Sequence, residues 1–348
     1  MLTINPLPHN LANRGTAMIR FATLFITLLT SVLALSARAD SYAGNAQAQA
    51  VIDQLVAEEG FDRDQLEAVM ADAQRQDSII EAMDRPAEKT KPWYDYREIF
   101  LTEQRAEEGV AFFNTHRETL ARAEAETGVP AEIIVAIIGV ETYYGRITGS
   151  YRVIDALTTL AFDYPRRSEF FTKELKNYLM LTRDQGINPA DFKGSYAGAM
   201  GYGQFMPSSY RAYAIDFDGD DKIDIWNNPV DAIGSVANYF AEHGWRSGGD
   251  VVAIAKADSS VPDDVFVQKR KDLKPVRTVA ELAELGVEPM RDLPDDAMAT
   301  AMKFELADGY EYWMGLHNFY VITRYNLSAM YAMSVYQLSQ RLADEVGS

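Results

Sequence analysis

Apolar residues recur at three- and four-residue intervals through most of the chain, which is the spacing of one face of an α-helix. Glycines and capping residues stand where these patterns stop, as helix ends require. The patterns predict helices within residues 45–85, from Thr102 to Glu126, from Pro130 to Gly145, over "SEFFTKELKNYLMLTRDQG", over "NPVDAIGSVANYFAEHG" and over "LSAMYAMSVYQLSQRLADEV".

The pattern changes between about residues 247 and 316. "DVVAIAKA" is a short apolar run, and apolar and charged residues alternate in "ATAMKFELADGYEYWMGL", as in a strand with one buried face. Asp308 and Gly309 form a hairpin-turn signal inside that alternation. We therefore predict a mainly α protein with a small antiparallel β domain inserted into it.

One carboxylate interrupts the most apolar helical segment, "IIVAIIGVETYYG" at residues 133–145. Ile138, Ile137 and Ile134 precede Glu141 by three, four and seven residues, so all four share one helix face. A glutamate on such a face is buried with a partner or faces a cleft, because an unpaired buried carboxylate is costly. An amphipathic helix whose last turn reaches solvent is an equally simple interpretation of this pattern.

Two further stretches have the composition of a sugar-binding groove. "GSYAGAMGYGQFMPSSY", residues 194–210, contains glycines, tyrosines and a glutamine but no charge, and residues 317–333 are dense in tyrosine and asparagine. Glycine lets a backbone approach a ligand closely. Aromatic rings and amides supply flat apolar faces and polar points for hydroxyl groups. A flexible loop and ordinary helix packing are the alternatives.

The stretch "DFDGDDKIDIWNNPVD", residues 216–231, places acids at alternating positions, as a loop that binds a hard cation requires. Counted as a calcium loop, it has Asp221 where glycine is usual and Asn227 where a glutamate is usual. Asp231 closes the site only if the loop is longer than usual, and a solvated acidic turn is the alternative. The other candidate ligands are Asp216, Asp218, Asp220, Asp224 and the backbone carbonyl of Lys222.

The chain has 348 residues and no cysteine, which suits a protein of two to three domains without disulfides. Residues 1–39 resemble an export signal, with Arg14 and Arg20 before an apolar run and "ARA" before Asp40. Met18 is an alternative start. A retained membrane anchor is the competing interpretation, but the run is short for a bilayer span. We expect cleavage, no stable membrane anchor and a soluble protein in the periplasm.

Removal of that segment takes away three of the 33 basic residues and none of the 51 acidic ones, so the net charge becomes −21. So acidic a protein repels phosphates, and we expect no nucleic-acid partner. Only His116, His243 and His317 would remain, and none is near another in sequence. A zinc hydrolase built on Cys and His ligands is therefore improbable.

Four blocks of sequence together are similar to the lytic murein transglycosylase B family. They are "IIGVETYYGR", "GAMGYGQFMPSSY", the acidic loop followed by "NPVDAIGSVANYFAEHGW", and "NFYVITRYNLSAMYAM". They occur in family order, and the similarity runs from about Trp93 to the C-terminus. The family's lipid-anchored members need a cysteine that this chain lacks, so it resembles a soluble member.

The resemblance implies an α+β fold with a lysozyme-like core. The expected organisation is a signal peptide at 1–39, an N-terminal helical domain at 40–100, a catalytic core with a calcium loop at 101–246, an inserted β domain at 247–316, and a C-terminal segment at 317–348 that completes the core. The implied partner is the glycan strand of peptidoglycan, together with possible cell-wall synthesis or turnover proteins.

The implied reaction is non-hydrolytic cleavage between N-acetylmuramic acid and N-acetylglucosamine, which leaves 1,6-anhydro ends. The family's single catalytic acid corresponds to Glu141, and the apolar residues of its helix face would raise its pKa so that it first donates and then accepts a proton. The corresponding substrate-binding residues are Tyr96, Arg166, Arg167, Ser195, Gln204, Tyr325, Asn326 and Tyr331, with the two arginines at the stem peptide. The implied calcium ligands are Asp216, Asp218, Asp220, the carbonyl of Lys222, and Asp231.

Two other functions remain possible on the residues alone. A lysozyme-type hydrolase would use water as the acceptor and would need a second carboxylate opposite Glu141. A non-catalytic, calcium-stabilised peptidoglycan-binding protein would lack the catalytic acid, and Glu141 is present.

Overall fold

The computed structural model describes residues 41–84, 91–267 and 273–347, and these divide after Arg75 into two compact units. The signal-like segment 1–39 lies outside the described residues. The domain limits expected at residues 100, 246 and 316 stay predictions. Within the described residues, no helix combines the length and apolarity needed to cross a membrane.

The first unit is built around two helices, α1 (Ala46–Glu59) and α2 (Arg63–Asp72). The predicted cap is confirmed, because the side chain of Asp62 accepts a hydrogen bond from the backbone N–H of Gln65 at 2.9 Å. Gly60 ends α1 in a left-handed conformation. The apolar faces are buried, at Ile52 and Leu55 on α1 and at Leu66 and Met70 on α2.

The second unit is mainly helical, and its centre is the helix Ala131–Thr142. Four other helices pack against it: Glu103–Thr115, Arg117–Thr127, Pro229–Glu242 and Ala329–Val346. The helices that begin at Glu103, Ala131, Ser168, Pro229 and Ala329 start within two residues of the predicted limits. The periodic patterns did not predict the helices Trp93–Phe100, Val153–Phe162, Pro207–Tyr213, Val279–Glu284 and His317–Tyr325. Its helices are α3 (Asp77–Asp84), α4 (Trp93–Phe100), α5 (Glu103–Thr115), α6 (Arg117–Thr127), α7 (Ala131–Thr142), α8 (Val153–Phe162), α9 (Ser168–Asp184), α10 (Pro207–Tyr213), α11 (Pro229–Glu242), α12 (Val279–Glu284), α13 (His317–Tyr325) and α14 (Ala329–Val346).

The single helix predicted from Thr102 to Glu126 is wrong. The chain breaks at His116, whose backbone angles of −112° and 22° separate α5 from α6. The ring of His116 packs on Phe112, with 4.5 Å between the ring centroids. No glycine or proline marks this break, so the helical pattern continues through it.

The predicted antiparallel sheet is confirmed. Its strands are β3 (Val252–Ala257), β4 (Arg277–Thr278), β5 (Val287–Pro289), β6 (Met298–Glu305) and β7 (Tyr310–Gly315), whereas β1 (Tyr151–Arg152) and β2 (Lys193–Gly194) form a separate pair. The five strands lie in the order β4-β6-β7-β3-β5, and every neighbouring pair is antiparallel. The hairpin signal at Asp308 and Gly309 joins β6 to β7, where the N–H of Leu306 donates to the carbonyl of Gly309 at 3.0 Å.

Both faces of the five-stranded sheet are partly covered. One face forms a small apolar core of its own, which includes Met314, Val287 and Leu282. On the other face Met302 and Phe304 are buried, and Phe304 contacts Trp93 of α4 with 5.0 Å between ring centroids. The sheet is therefore attached directly to the helical part of the unit, and the predicted fold class, mainly α with a small antiparallel sheet, is confirmed.

Candidate active site and acidic loop

Glu141 lies in the last turn of α7. Ile134, Ile137 and Ile138, which share its face, are completely buried, so the predicted apolar face is confirmed. Glu141 itself is half-buried. Because α7 is apolar on nearly every side, it is a central helix and not an amphipathic surface helix.

The turn after Glu141 has an unusual backbone. α7 ends at Thr142, and Tyr143 and Tyr144 both adopt the left-handed conformation, with φ of 54° and 62°. This conformation costs a residue other than glycine about 1–2 kcal/mol. The expected stop at Gly145 is therefore wrong by most of a turn, because tyrosine gives no sequence signal for a left-handed ending.

Thr142 ties this turn to the glycine-rich segment. Its buried hydroxyl donates to the carbonyl of Tyr202 at 2.8 Å and accepts from the N–H of Gly145 at 3.0 Å. A Cβ at Gly145 would lie 2.0 Å from a ring carbon of Tyr202, so only glycine fits there. The sequence did not single out Thr142 or Tyr202, and their only signal there is that they lie inside the segments "IIGVETYYGR" and "GAMGYGQFMPSSY".

Two tyrosine hydroxyls flank Glu141. Tyr331, in the first turn of α14, donates to Oε1 of Glu141 at 2.5 Å, and Tyr325, at the end of α13, donates to the carbonyl of Gly203 at 2.5 Å. Burial raises the pKa of both phenols well above 10, and the negative charge of Glu141 raises it further. Both groups therefore stay neutral near neutral pH and act as hydrogen-bond donors without adding charge.

Ser195 and Gln204 shape the glycine-rich segment. The hydroxyl of Ser195 accepts from the N–H of Ala199 at 3.1 Å. Gln204 has a left-handed backbone, and its side-chain amide donates to the carbonyls of Thr148 at 3.1 Å and Gly201 at 3.0 Å. These bonds hold the segment in one shape beside the end of α7.

Asn326 and Tyr96 occupy different surroundings. Asn326 follows Tyr325 directly and is half-buried. Tyr96 on α4 is buried against the rings of Trp93 and Phe100. The pKa of Tyr331 is raised first by burial, then by the charge of Glu141, and to a smaller extent by Tyr96. A sugar-binding role for either residue stays a prediction.

Arg166 and Arg167 lie in one turn of 3₁₀ helix, Pro165–Arg167. Arg166 is exposed, and its guanidinium is 3.2 Å from the carboxylate of Asp84. Arg167 lies over the ring of Phe170, with 4.4 Å from Cζ to the ring centroid. These contacts do not involve the residues around Glu141, and their proposed stem-peptide role stays a prediction.

The acidic loop brings together three of its predicted ligands. Asp216, Asp218 and Asp231 each place a carboxylate oxygen within 4.8 Å of the others. Asp231, in the first turn of α11, is completely buried. Burial raises the pKa of Asp231, and the charges of Asp218 and Asp216 add to the rise. Asp231 therefore reaches the cluster. Its loop is longer than the usual calcium loop, which is the condition under which Asp231 was expected to close the site.

The other acids of the loop have different contacts. Asp220 is not part of the cluster, and its carboxylate accepts from the N–H of Lys222 at 2.9 Å. Asp224 accepts from the N–H of Trp226 at 2.9 Å and so caps the following turn. Asp221 has a left-handed φ of 68°, at the position where calcium loops usually have glycine.

The comparisons with known proteins agree with these motifs. The profile of the family described as "Transglycosylase SLT domain" matches residues 43–340. The membrane-bound lytic murein transglycosylase B of Escherichia coli (strain K12) is 46% identical over 311 residues, which cover 87% of this chain and 84% of that protein. The chain belongs to the lytic murein transglycosylase B family.

Solved structures of lytic transglycosylases share this fold. Soluble lytic transglycosylase SltB1 from Pseudomonas aeruginosa is 52% identical, with a TM-score of 0.82 over 87% of this chain and 100% of that one. The Escherichia coli lytic transglycosylase Slt35 in complex with calcium is 45% identical, with a TM-score of 0.81 over 88% of this chain and 96% of that one. The fold is thus lysozyme-like, as predicted.

Membership of the lytic murein transglycosylase B family fixes the activity: the protein is an enzyme, a lytic transglycosylase of peptidoglycan. One structure in the family contains calcium. The donor set here fits such an ion, because several carboxylate oxygens at one point suit a hard cation with flexible coordination.

Proposed function

We propose that Glu141 is the sole acid–base group of this lytic transglycosylase, and that the enzyme cleaves between N-acetylmuramic acid and N-acetylglucosamine to leave 1,6-anhydromuramic acid ends. The hydrogen bond of 2.5 Å from Tyr331 to Oε1 of Glu141 carries the proposal. Because Oε1 accepts the hydrogen bond from Tyr331, the acidic proton of Glu141 belongs on Oε2. Oε2 is then the atom that faces the substrate.

The reaction needs one carboxyl group for two steps. In the first, the proton on Oε2 passes to the glycosidic oxygen while the bond from that oxygen to C1 of the muramic acid breaks. In the second, the 6-hydroxyl of the same sugar adds to C1 and returns its proton to Glu141. No water is consumed, and the carboxyl group ends as it began.

A second carboxylate is unnecessary in this scheme. Ordinary glycosidases use it to attack the sugar or to activate water. The glycine-rich segment 194–210 contains no acid, and the groups described beside Glu141 are the neutral phenols of Tyr331 and Tyr325. Their dipoles and the substrate's own N-acetyl group would meet the positive charge that develops at C1.

We place the substrate along the segments that surround Glu141. The bond between Tyr325 and the carbonyl of Gly203 joins the end of α13 to the glycine-rich segment, so the two form one surface. The proposed sugar-binding residues are Ser195, Gln204, Tyr325, Asn326 and Tyr331, with Tyr96 behind them. Arg166 and Arg167 are exposed cations in an acidic protein, which suits the carboxylates of a stem peptide.

The acidic loop is proposed to hold a structural calcium ion. Asp216, Asp218 and Asp231 would supply carboxylate oxygens, and Asp220 and the carbonyl of Lys222 would complete the coordination. A divalent cation would neutralise three like charges that otherwise repel one another. Because Asp231 belongs to α11, the ion would connect the loop to that helix.

The proposed compartment is the periplasm. The signal-like segment 1–39 and the peptidoglycan substrate support this location. The glycan strand is the proposed binding partner, and contacts with cell-wall synthesis or turnover proteins are a further expectation.

The product distinguishes this proposal from hydrolysis. Isolated sacculi are digested in water enriched in heavy oxygen, and the released muropeptides are analysed by mass spectrometry, with Glu141→Gln protein as the control. We expect 1,6-anhydro ends that contain no heavy oxygen. Labelled reducing ends would identify a lysozyme-type hydrolase, and binding without release would identify a non-catalytic protein.

A further inference from the structure

Arg105 is a buried cation close to the turn that follows Glu141. It lies on α5 with 8% of its surface exposed, and no carboxylate of the described residues is within 4.0 Å of its guanidinium. Burial lowers the pKa of Arg105. A buried charge without an ionic partner is costly, so other contacts must stabilise it.

Arg105 contacts both left-handed tyrosines. Its guanidinium donates to the carbonyl of Ile99 at 2.6 Å and lies 4.4 Å from the ring centroid of Tyr143, a cation–π distance. Its own backbone carbonyl accepts from the hydroxyl of Tyr144 at 2.8 Å. One residue of α5 therefore binds Tyr143 through its side chain and Tyr144 through its main chain.

The side chain of Tyr144 reaches Arg105 only because two glycines make room. A Cβ at Gly109 on α5 would lie 2.4 Å from the Tyr144 hydroxyl, and one at Gly139 on α7 would lie 2.6 Å from it. The hydroxyl thus passes between the two helices. The contact with Arg105 is built into the packing of α5 against α7.

We propose that Arg105 is a positioning residue for Glu141. It holds Tyr143 and Tyr144 in the left-handed conformations that end α7 and so fixes the turn from which Glu141 reaches the glycosidic bond. The proposal rests on the proposed role of Glu141 as the acid. A misplaced proton donor slows turnover strongly, while the sugar contacts lie on other segments and remain.

The test compares turnover with substrate binding. Arg105→Lys keeps the charge but loses the planar donor group that stacks on Tyr143. On a soluble peptidoglycan fragment we expect kcat to fall about tenfold or more while KM stays within about twofold, since misplacement acts on the chemical step. Tyr144→Phe removes only the bond to the Arg105 carbonyl, and we expect a smaller loss of kcat with the same KM.

Arg117→Lys is the control. Arg117 also lies over a ring, 5.3 Å from the centroid of Phe113, and donates to the side-chain oxygen of Asn114 at 2.6 Å. Neither partner belongs to the turn after Glu141 or to the acidic loop, so kcat should stay at the wild-type value. An equal loss in Arg117→Lys would show that the effect is not specific to Arg105 and would overturn the proposal.

The remaining outcomes are decisive as well. If Arg105→Lys does not fold, Arg105→Met decides, because it fills the buried site with an apolar side chain and removes the guanidinium over Tyr143. A wild-type kcat in the folded Arg105→Met variant overturns the positioning role. Glu141→Gln is assayed in parallel. Turnover in that variant removes the acid assignment itself, whereas an inactive Glu141→Gln with fully active Arg105→Lys and Tyr144→Phe overturns only the role of Arg105.

Discussion

The molecule holds carboxylates in two opposite ways. Glu141 lies at the end of an apolar helix and accepts a hydrogen bond from the neutral phenol of Tyr331. In the acidic loop, Asp216, Asp218 and Asp231 crowd their oxygens within 4.8 Å of one another. We propose proton transfer for the first carboxylate and cation binding for the second group.

The difference lies in the neighbouring charges. Glu141 shares its helix face with buried isoleucines and accepts its hydrogen bond from the neutral phenol of Tyr331. In the loop, each acid repels the next, and the pKa of Asp231 is raised by burial and then by its acidic neighbours. A divalent cation bound there would relieve this repulsion.

The largest effect should come from Glu141→Gln. The amide keeps the shape of the side chain and cannot donate the proton, so turnover should fall by about 10² to 10⁴-fold or more. Glu132→Gln is the control, because Glu132 is half-buried in the first turn of the same helix. Release of anhydromuropeptides measures both. Near-normal turnover in Glu141→Gln would show that Glu141 is not the proton donor.

Calcium should stabilise the folded protein. A ligand bound only by the folded state adds about 2.7 kcal/mol at a hundredfold excess over its dissociation constant, which raises the melting midpoint by about 4 °C in a protein of this size. Magnesium should add less, since it demands a stricter geometry. Scanning calorimetry in calcium, magnesium and chelator measures the shift.

Two loop variants sharpen that prediction. Asp218→Asn removes one charge from the cluster and should abolish the calcium shift. Asp221→Asn removes a charge from the same loop outside the cluster, and asparagine tolerates its left-handed backbone, so the shift should persist. Identical melting with calcium and with chelator in the wild-type protein would make the loop an acidic turn.

Tyr331→Phe should weaken turnover without abolishing it. The phenol donates to a carboxyl oxygen of Glu141, and a hydrogen bond to a charged group is worth about 1.5–3 kcal/mol, or roughly tenfold or more in rate. Tyr336→Phe on the same helix should leave kcat unchanged. Steady-state kinetics on a soluble fragment test both. Wild-type turnover in Tyr331→Phe would mean that the phenol does not orient the acid.

The smallest effect concerns alkaline stability. Burial raises the pKa of Tyr331 above its ordinary 10. Above pH 10 the unfolded chain loses this proton while the folded protein keeps it, so stability is intact below pH 10 and falls as the pH rises further. Tyr331→Phe should reduce that slope by about 1.4 kcal/mol per pH unit. Urea unfolding at several alkaline pH values measures it, and equal slopes would contradict the burial of the phenol.

Local sequence was sufficient for the elements that depend on near neighbours. Helix limits such as the Asp62 cap follow from residues a few positions apart, as does the hairpin at Asp308 and Gly309. The face shared by Glu141 and its isoleucines follows from helical spacing alone. Asp216 and Asp218 could likewise be found because a loop that binds a cation spaces its acids regularly.

Only the tertiary structure decided the contacts that turn these elements into a site. Tyr331 and Glu141 are 190 positions apart, and no local pattern predicts that their side chains meet. The break at His116 has no glycine or proline signal, and the left-handed residues Tyr143 and Tyr144 come before the glycine that predicts the end of the helix. Such features arise because helices distant in sequence pack together, and the energy of that packing exceeds the local preference of each residue.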